Sequence, residues 1–191
     1  MNSESSFSLQ PVLEGPTLHL RPLLQDDCDA LYTVASDPLI WAQHPSPLRY
    51  QRAVFQMWFE EALASCGALV AIDQRYGKVI GTSRYFEWKE SQGEVAIGYT
   101  FLARSHWGGV INAELKRLML HHAFQWAHTV WFHVVVQNVR SQKVMEKIGA
   151  RISHRTAKQL TGDVQEYVFS RIERTDPWRF EASQSQRENA G

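Results

Sequence analysis

The stretch that most constrains this chain runs from Tyr99 to Ala150, YTFLARSHWGGVINAELKRLMLHHAFQWAHTVWFHVVVQNVRSQKVMEKIGA. It reads in one piece as a strand, a glycine-bearing loop that opens a helix, a second strand, and a short helix closed by a glycine. The helix after Gly109 carries Leu115, Leu118, Met119, His122, Ala123 and Trp126 on one face, and Val130 to Gln137 is strongly β-branched. A strand, a crossover helix and a further strand make a unit whose strands run parallel. The loop has chemical meaning as well. The first four N–H groups of a helix have no internal partners and the dipole there is positive, so a loop that feeds a helix start is a ready anion site.

The remaining segments fit around that unit. Residues 1–12 are polar and weakly patterned and read as a flexible leader. Leu18-His19-Leu20-Arg21-Pro22 alternates over strand length, with Pro22 placing it at a sheet edge or at its own end. A helix with acidic Asp26 and Asp27 at its start carries Ala30, Leu31, Val34 and Ala35 and stops at Asp37-Pro38. A second helix, about Ala53 to Ser65, has Phe55, Trp58, Phe59 and Leu63 at helical spacing, a stripe that reads as core. Between them Leu39 to Tyr50 has no period, and packing over the core is preferred to lining a site. Residues 67–72, 79–88 and 94–102 are β-rich runs joined by short turn clusters, hence antiparallel. Ile152 to His154 and Val164 to Ile172 read as a closing hairpin across Thr161-Gly162-Asp163. Residues 173–191 form a polar tail.

The expected fold is therefore α/β in one domain over residues 13–172: a single mixed, mostly antiparallel sheet with helices on both faces, in the order β-α-α-β-β-β-α-β-α-β-β. A chain of 191 residues, 44% of them hydrophobic, has one sizeable core and too little for two ordinary domains. Twenty Lys and Arg balance twenty Asp and Glu, so no overall field steers it to nucleic acid or to anionic lipid. Cys28 and Cys66 have no metal-ligand spacing, no secretory core precedes the first polar run, and no window approaches a membrane span, so a cytoplasmic setting is expected. The eight histidines lack H-E-x-x-H or a cysteine partner, so no metal is expected.

The run Trp107-Gly108-Gly109-Val110-Ile111-Asn112-Ala113-Glu114, followed by Asn138, Ser141, Glu146, Lys147 and Gly149, resembles the two signatures of the GCN5-related N-acetyltransferase (GNAT) family. The Leu18-His19-Leu20-Arg21-Pro22 strand fits too, and the resemblance is nearest to the branch of ribosomal-protein N-terminal acetyltransferases. It implies acyl transfer from acetyl-CoA to an amine by direct attack, with a small-molecule or peptide amine as acceptor and a monomer or homodimer as the working form. The alternative on the same fold is a non-catalytic CoA-binding or interaction protein.

The implied cofactor residues divide by region. Gly108, Gly109, Val110, Ile111 and Asn112 cradle the pyrophosphate beside Trp107, and Tyr99, Phe101 and Leu102 lie on the strand that bonds the pantetheine arm. Asn138 sits where two parallel strands diverge, or acts as a helix N-cap; Ser141 faces the thiol, or fills the first turn. Lys143, with Arg140, meets the ribose phosphate or solvates the helix. Val110 stands where the family usually has its second glycine. Either that position takes ordinary helical φ, or Gly109 fills the role one residue earlier.

The family's frequent proton-donating tyrosine falls at Met145, which has no proton to give, so Ser141 or a water takes that role. For the base, Glu94 is the candidate ahead of His133, because it lies two residues before Ala96, where the related branch often carries glutamate, and hence on the same strand face.

Overall fold

A computed structural model describes residues 6–108, 110–158 and 164–176. The expected turn at Thr161-Gly162-Asp163, most of the C-terminal tail, and Gly109 lie outside the described residues. Among the described residues eight strands form one sheet: β1 (Leu13–Glu14), β2 (Leu18–Pro22), β3 (Ala68–Asp73), β4 (Lys78–Lys89), β5 (Glu94–Leu102), β6 (Thr129–Val135), β7 (Arg151–Lys158) and β8 (Gln165–Glu173). The helices are α1 (Cys28–Ala35), α2 (Arg52–Ala64), α3 (Val110–Ala123) and α4 (Val139–Lys147). The strand order is β1-β2-β3-β4-β5-β6-β8-β7, with β5 and β6 parallel and every other neighbouring pair antiparallel. This is the expected mixed sheet with one addition. The two-residue β1 was too short to show a period, and it covers β2 only at Leu20 and His19, which leaves Pro22 beyond its reach.

Period-two alternation separates the faces. On one face Leu69 and Ala71 of β3 join Leu18, Leu20, Tyr85, Val95 and Ile97 beneath Leu115, Met119 and Leu120 of α3 and Met145 of α4. Ala68 and Val70 face the other way, under Leu31 and Ala35 of α1 and Phe55, Trp58 and Phe59 of α2. The aromatic stripe of α2 is core, as expected from its spacing.

Polar ties fix the two layers. Glu114 of α3 is buried, and its carboxylate accepts from the amides of Thr17 (2.9 Å) and Leu18 (3.0 Å) and from the Thr17 hydroxyl. The helix thus clamps the start of β2. Gly15 permits this approach, since a Cβ there would stand 2.2 Å from Glu114 Oε1. Arg21 holds Asp27 through two 2.7 Å bonds, and the Leu24 amide adds a third bond at 2.8 Å. Phe7, inside the stretch expected to be a loose leader, is buried against Tyr85, Trp88 and His122, and the Ser8 carbonyl meets His122 Nε2 at 2.8 Å. A single aromatic anchor within a polar run carries no periodicity, so nothing in the sequence marked it.

Candidate active site

The site begins where the sheet splits. β5 and β6 pair only at Glu94, Val95 and Ala96 against Thr129, Val130 and Trp131, and beyond those residues they diverge. A bulge follows within the diverging half of β5: Tyr99 has φ of 52°, and between the pairs Thr82↔Phe101 and Arg84↔Gly98 both Tyr99 and Thr100 stand opposite the single residue Ser83. That two-against-one bulge bends β5 and turns the backbone groups of its second half away from the β6 ladder. A cavity of about 230 Å³ fills the wedge, lined along β5 by Ile97 to Leu102 and along β6 by Phe132 to Val135.

The floor of the wedge is the start of α3. Trp107 sends its indole N–H to the Leu102 carbonyl (2.9 Å), and Gly108 turns the chain with φ of 70°. A Cβ on Gly108 would meet nothing within 4 Å, so the glycine is needed for its backbone conformation and not for space. Val110 is the first residue of α3 and has no positive φ, as the reading with ordinary helical backbone there expects; Gly108 is in the left-handed region, and the reading through Gly109 falls outside the described residues. Asn112 lines the cavity with its Oδ1 buried and without a hydrogen-bond partner among the described residues. Four residues on, Lys116 is buried in the same lining; its ammonium donates to Thr100 Oγ1 (2.8 Å), and desolvation lowers its pKa to about 7.

α4 closes the other side. Asn138 is its N-cap, accepting the Ser141 amide at 3.1 Å, and it also lines the cavity with Ser141, Val144 and Met145. The cap and the wall are one residue. Gly149, with φ of 84°, ends the helix through bonds from its own amide to Glu146 O and from the Ala150 amide to Met145 O. Arg140 stacks on Trp107 (3.9 Å) and donates to the Ile40 carbonyl (2.9 Å). Lys143, Lys147 and Arg140 border a shallow groove that shares Gly108 with the deep cavity.

The Leu39 to Tyr50 segment, expected to pack over the core, also forms the outer wall. Ile40, Trp41, His44, Pro45 and Arg49 line the cavity, and Trp41 is buried against Phe101. His133 lines it from β6. Burial lowers its pKa to about 4, partly offset by Glu87, whose Oε2 stands 4.0 Å from Nε2; its Nδ1 is buried without a partner among the described residues. Glu94, expected ahead of His133, is not in the lining. It sits at the paired end of the strand opposite Thr129, with Lys89 Nζ at 3.8 Å. Being on the same strand face as Ala96 does not bring it to the wedge, because Ala96 is still paired and the lining begins at Ile97.

Of the expected cofactor residues, Tyr99, Phe101, Leu102, Trp107, Gly108, Asn112, Asn138 and Ser141 converge on the cavity. Lys143 borders the adjoining groove. Val110 is exposed at the helix start and Ile111 is half-buried against the core. Arg49, Lys116 and Tyr167 are lining residues that sequence reading missed. Lys116 had a signal, the spacing of four from Asn112 on one helix face. Arg49 had none in an aperiodic loop.

A family model described as Acetyltransferase (GNAT) domain matches residues 17–151. The chain belongs to the GNAT acetyltransferase family. A search of curated protein sequences finds no match. Solved structures share the GNAT fold at low identity. A probable GNAT acetyltransferase from Chromobacterium violaceum aligns at a TM-score of 0.79 and 16% identity over 91% of this chain and 92% of that one. Mycobacterium smegmatis RimJ in complex with CoA-disulfide aligns at 0.67 and 18% over 86% of each chain. Ribosomal-protein-S5-alanine acetyltransferase from Vibrio fischeri aligns at 0.65 and 15% over 88% of this chain and 99% of that one.

Proposed function

We propose that this GNAT chain transfers an acetyl group from acetyl-CoA to a primary amine by direct attack in a ternary complex. The observation that carries the proposal is the wedge between β5 and β6 opening onto the start of α3. Bound acetyl-CoA supplies an acyl group activated as a thioester. Three features of the wedge fit it: the unpaired edge of β5 offers amide donors and acceptors, the orphaned Asn112 Oδ1 offers an acceptor, and the α3 N-terminus offers N–H groups to phosphate. Arg140, Lys143 and Lys147 add positive charge along the adjoining groove.

The chain's own groups then divide the work. Backbone N–H groups of Ile97 to Leu102 orient the thioester carbonyl and stabilise the charge that develops on its oxygen. His133 takes the proton from the attacking amine. Burial keeps its imidazole neutral and so able to accept, while Glu87 favours the imidazolium once formed. The proton that His133 takes goes on to the departing thiolate, relayed by a water or by Ser141, so that no side chain is left ionised. Ser141 lies one turn before Met145 on the same face of α4, and both residues line the cavity. No covalent enzyme intermediate is required.

Thiol release from acetyl-CoA over a panel of amines tests the proposal, with turnover expected for at least one class. The presence of Met145 in the wall favours one alternative, a CoA-binding protein without catalysis. Stabilisation by CoA with no thiol release from any amine would establish that alternative.

A further inference from the structure

Two buried arginines stand at the cavity with no carboxylate in ion-pair contact among the described residues. Arg49 is 6% exposed and lines the cavity; Arg84, on β4, is 7% exposed and stacks its guanidinium 4.2 Å from the ring of Tyr99, itself a lining residue. Among the described residues no carboxylate lies within 4.0 Å of either. Glu61 is the acid that acts on both, but it is exposed and stands beyond ion-pair distance. Arg84 Nε and Nη2 are buried with no hydrogen-bond partner among the described residues.

The polar neighbour of Arg49 does not satisfy it. The Ser46 amide donates to His44 Nδ1 (2.9 Å), and burial keeps the His44 ring neutral, lowering its pKa to about 3. The single ring proton is then on Nε2, the atom 3.3 Å from Arg49 Nη1, so two donors face each other there. Arg49 also faces the rings of Trp41 and Trp58, both at 5.6 Å. A buried guanidinium among aromatic faces with no carboxylate in contact is costly unless a ligand completes it.

We propose that the amine acceptor carries an anionic oxygen group, a carboxylate or a phosphate, and that Arg49, backed by Arg84, receives it. The planar fork of arginine matches both groups in two-point geometry. The proposal rests on the acyl-transfer reading of the same cavity.

The test uses the full chain with acetyl-CoA and acceptors paired by shape: β-alanine with β-alaninamide, O-phosphoethanolamine with ethanolamine, and peptides beginning with Asp against the same peptides beginning with Asn. The anionic member of at least one pair is expected to exceed its neutral partner at least about tenfold in kcat/KM, and the pair that does so identifies the source of the anion. In Arg49→Gln the ratio within that pair falls toward one, and in Arg84→Gln it falls part of the way. CoA still stabilises both variants against heat. Arg49→Lys, which keeps charge and loses the fork, gives an intermediate ratio and serves if Arg49→Gln does not fold. Neutral partners that match or exceed their anionic partners in every pair overturn the proposal, as does an Arg49→Gln that leaves the ratio intact. If no acceptor releases thiol, titration of the CoA-loaded protein with the same pairs reads the preference without chemistry. Tighter binding of an anionic member then supports the arginine site while the catalytic reading fails, and equal binding overturns the arginine site.

Discussion

His133 and Glu94 show how one backbone feature moves a chemical role. Both belong to the β5–β6 pair, yet only His133 lies past the point where the ladder ends. His133→Gln is expected to lower kcat by about 10²–10⁴-fold with CoA binding retained, whereas Glu94→Gln changes kcat little. Steady-state rates of the two variants with one acceptor decide it, and the reverse order would return the base to Glu94. Where its hydroxyl is the relay to the leaving group, Ser141→Ala is expected to lower kcat more than KM for the acceptor. At this scale the sequence was least legible. A lysine buried beneath a sheet and a lysine on a surface read alike, so Lys116 gave no sign of burial beyond its spacing from Asn112. Arg49 and Tyr167 acquire their positions only when the Leu39 to Tyr50 loop and β8 close over the wedge.

At the scale of elements, sequence patterns carried most of the fold. Apolar spacing located α2 and α3 and alternation located β2, because each buries one face against a neighbour, while β3, buried on both faces, and β6 were legible as β-rich runs. β7 failed the same test for a physical reason. Its residues are exposed apart from Lys158, so no alternation marks it, and only Ile152 to His154 of its eight residues were read as strand. The bulge at Tyr99 was also hidden, since a tyrosine with φ of 52° has no local signature. Two substitutions separate scaffold from binding in the helix starts. Asn138→Ala removes the cap of α4 and is expected to cost about 1 kcal/mol in denaturant unfolding. Gly108→Val forces a β-branched residue to a φ of 70° at the mouth of the site, and is expected to weaken CoA binding at least tenfold in direct titration. Retained CoA affinity in Gly108→Val would move the phosphate site away from the α3 start.

For the whole molecule, acid is the relevant stress. His133 is held neutral in the fold with a pKa near 4, and His44 near 3, against an ordinary value of 6.5. Below pH 6.5 the unfolded chain therefore binds protons that the folded chain refuses, and stability falls as pH falls. His133 contributes about 1.4 kcal/mol per pH unit between roughly 6 and 4. Asp27 acts lower still. Burial raises its pKa, but the bonds from Arg21 and the Leu24 amide outweigh this and hold the carboxyl below its usual range. Its stabilisation is complete above the ordinary carboxylate range and is lost as pH drops through the depressed folded value. Unfolding midpoints from pH 7 to 4 are expected to decline from about pH 6.5 downward, with a shallower decline in His133→Gln. A flat profile over that range would contradict the buried neutral histidines.

The β5–β6 wedge and the α3 start are the proposed CoA site, and thermal unfolding with and without CoA checks it. At 100 times its Kd, CoA is expected to add about 2.7 kcal/mol, a rise in Tm of roughly 5–10 °C for a chain of this length, and the rise is expected to shrink in Gly108→Val at the same concentration. No rise with millimolar CoA or acetyl-CoA would contradict the account.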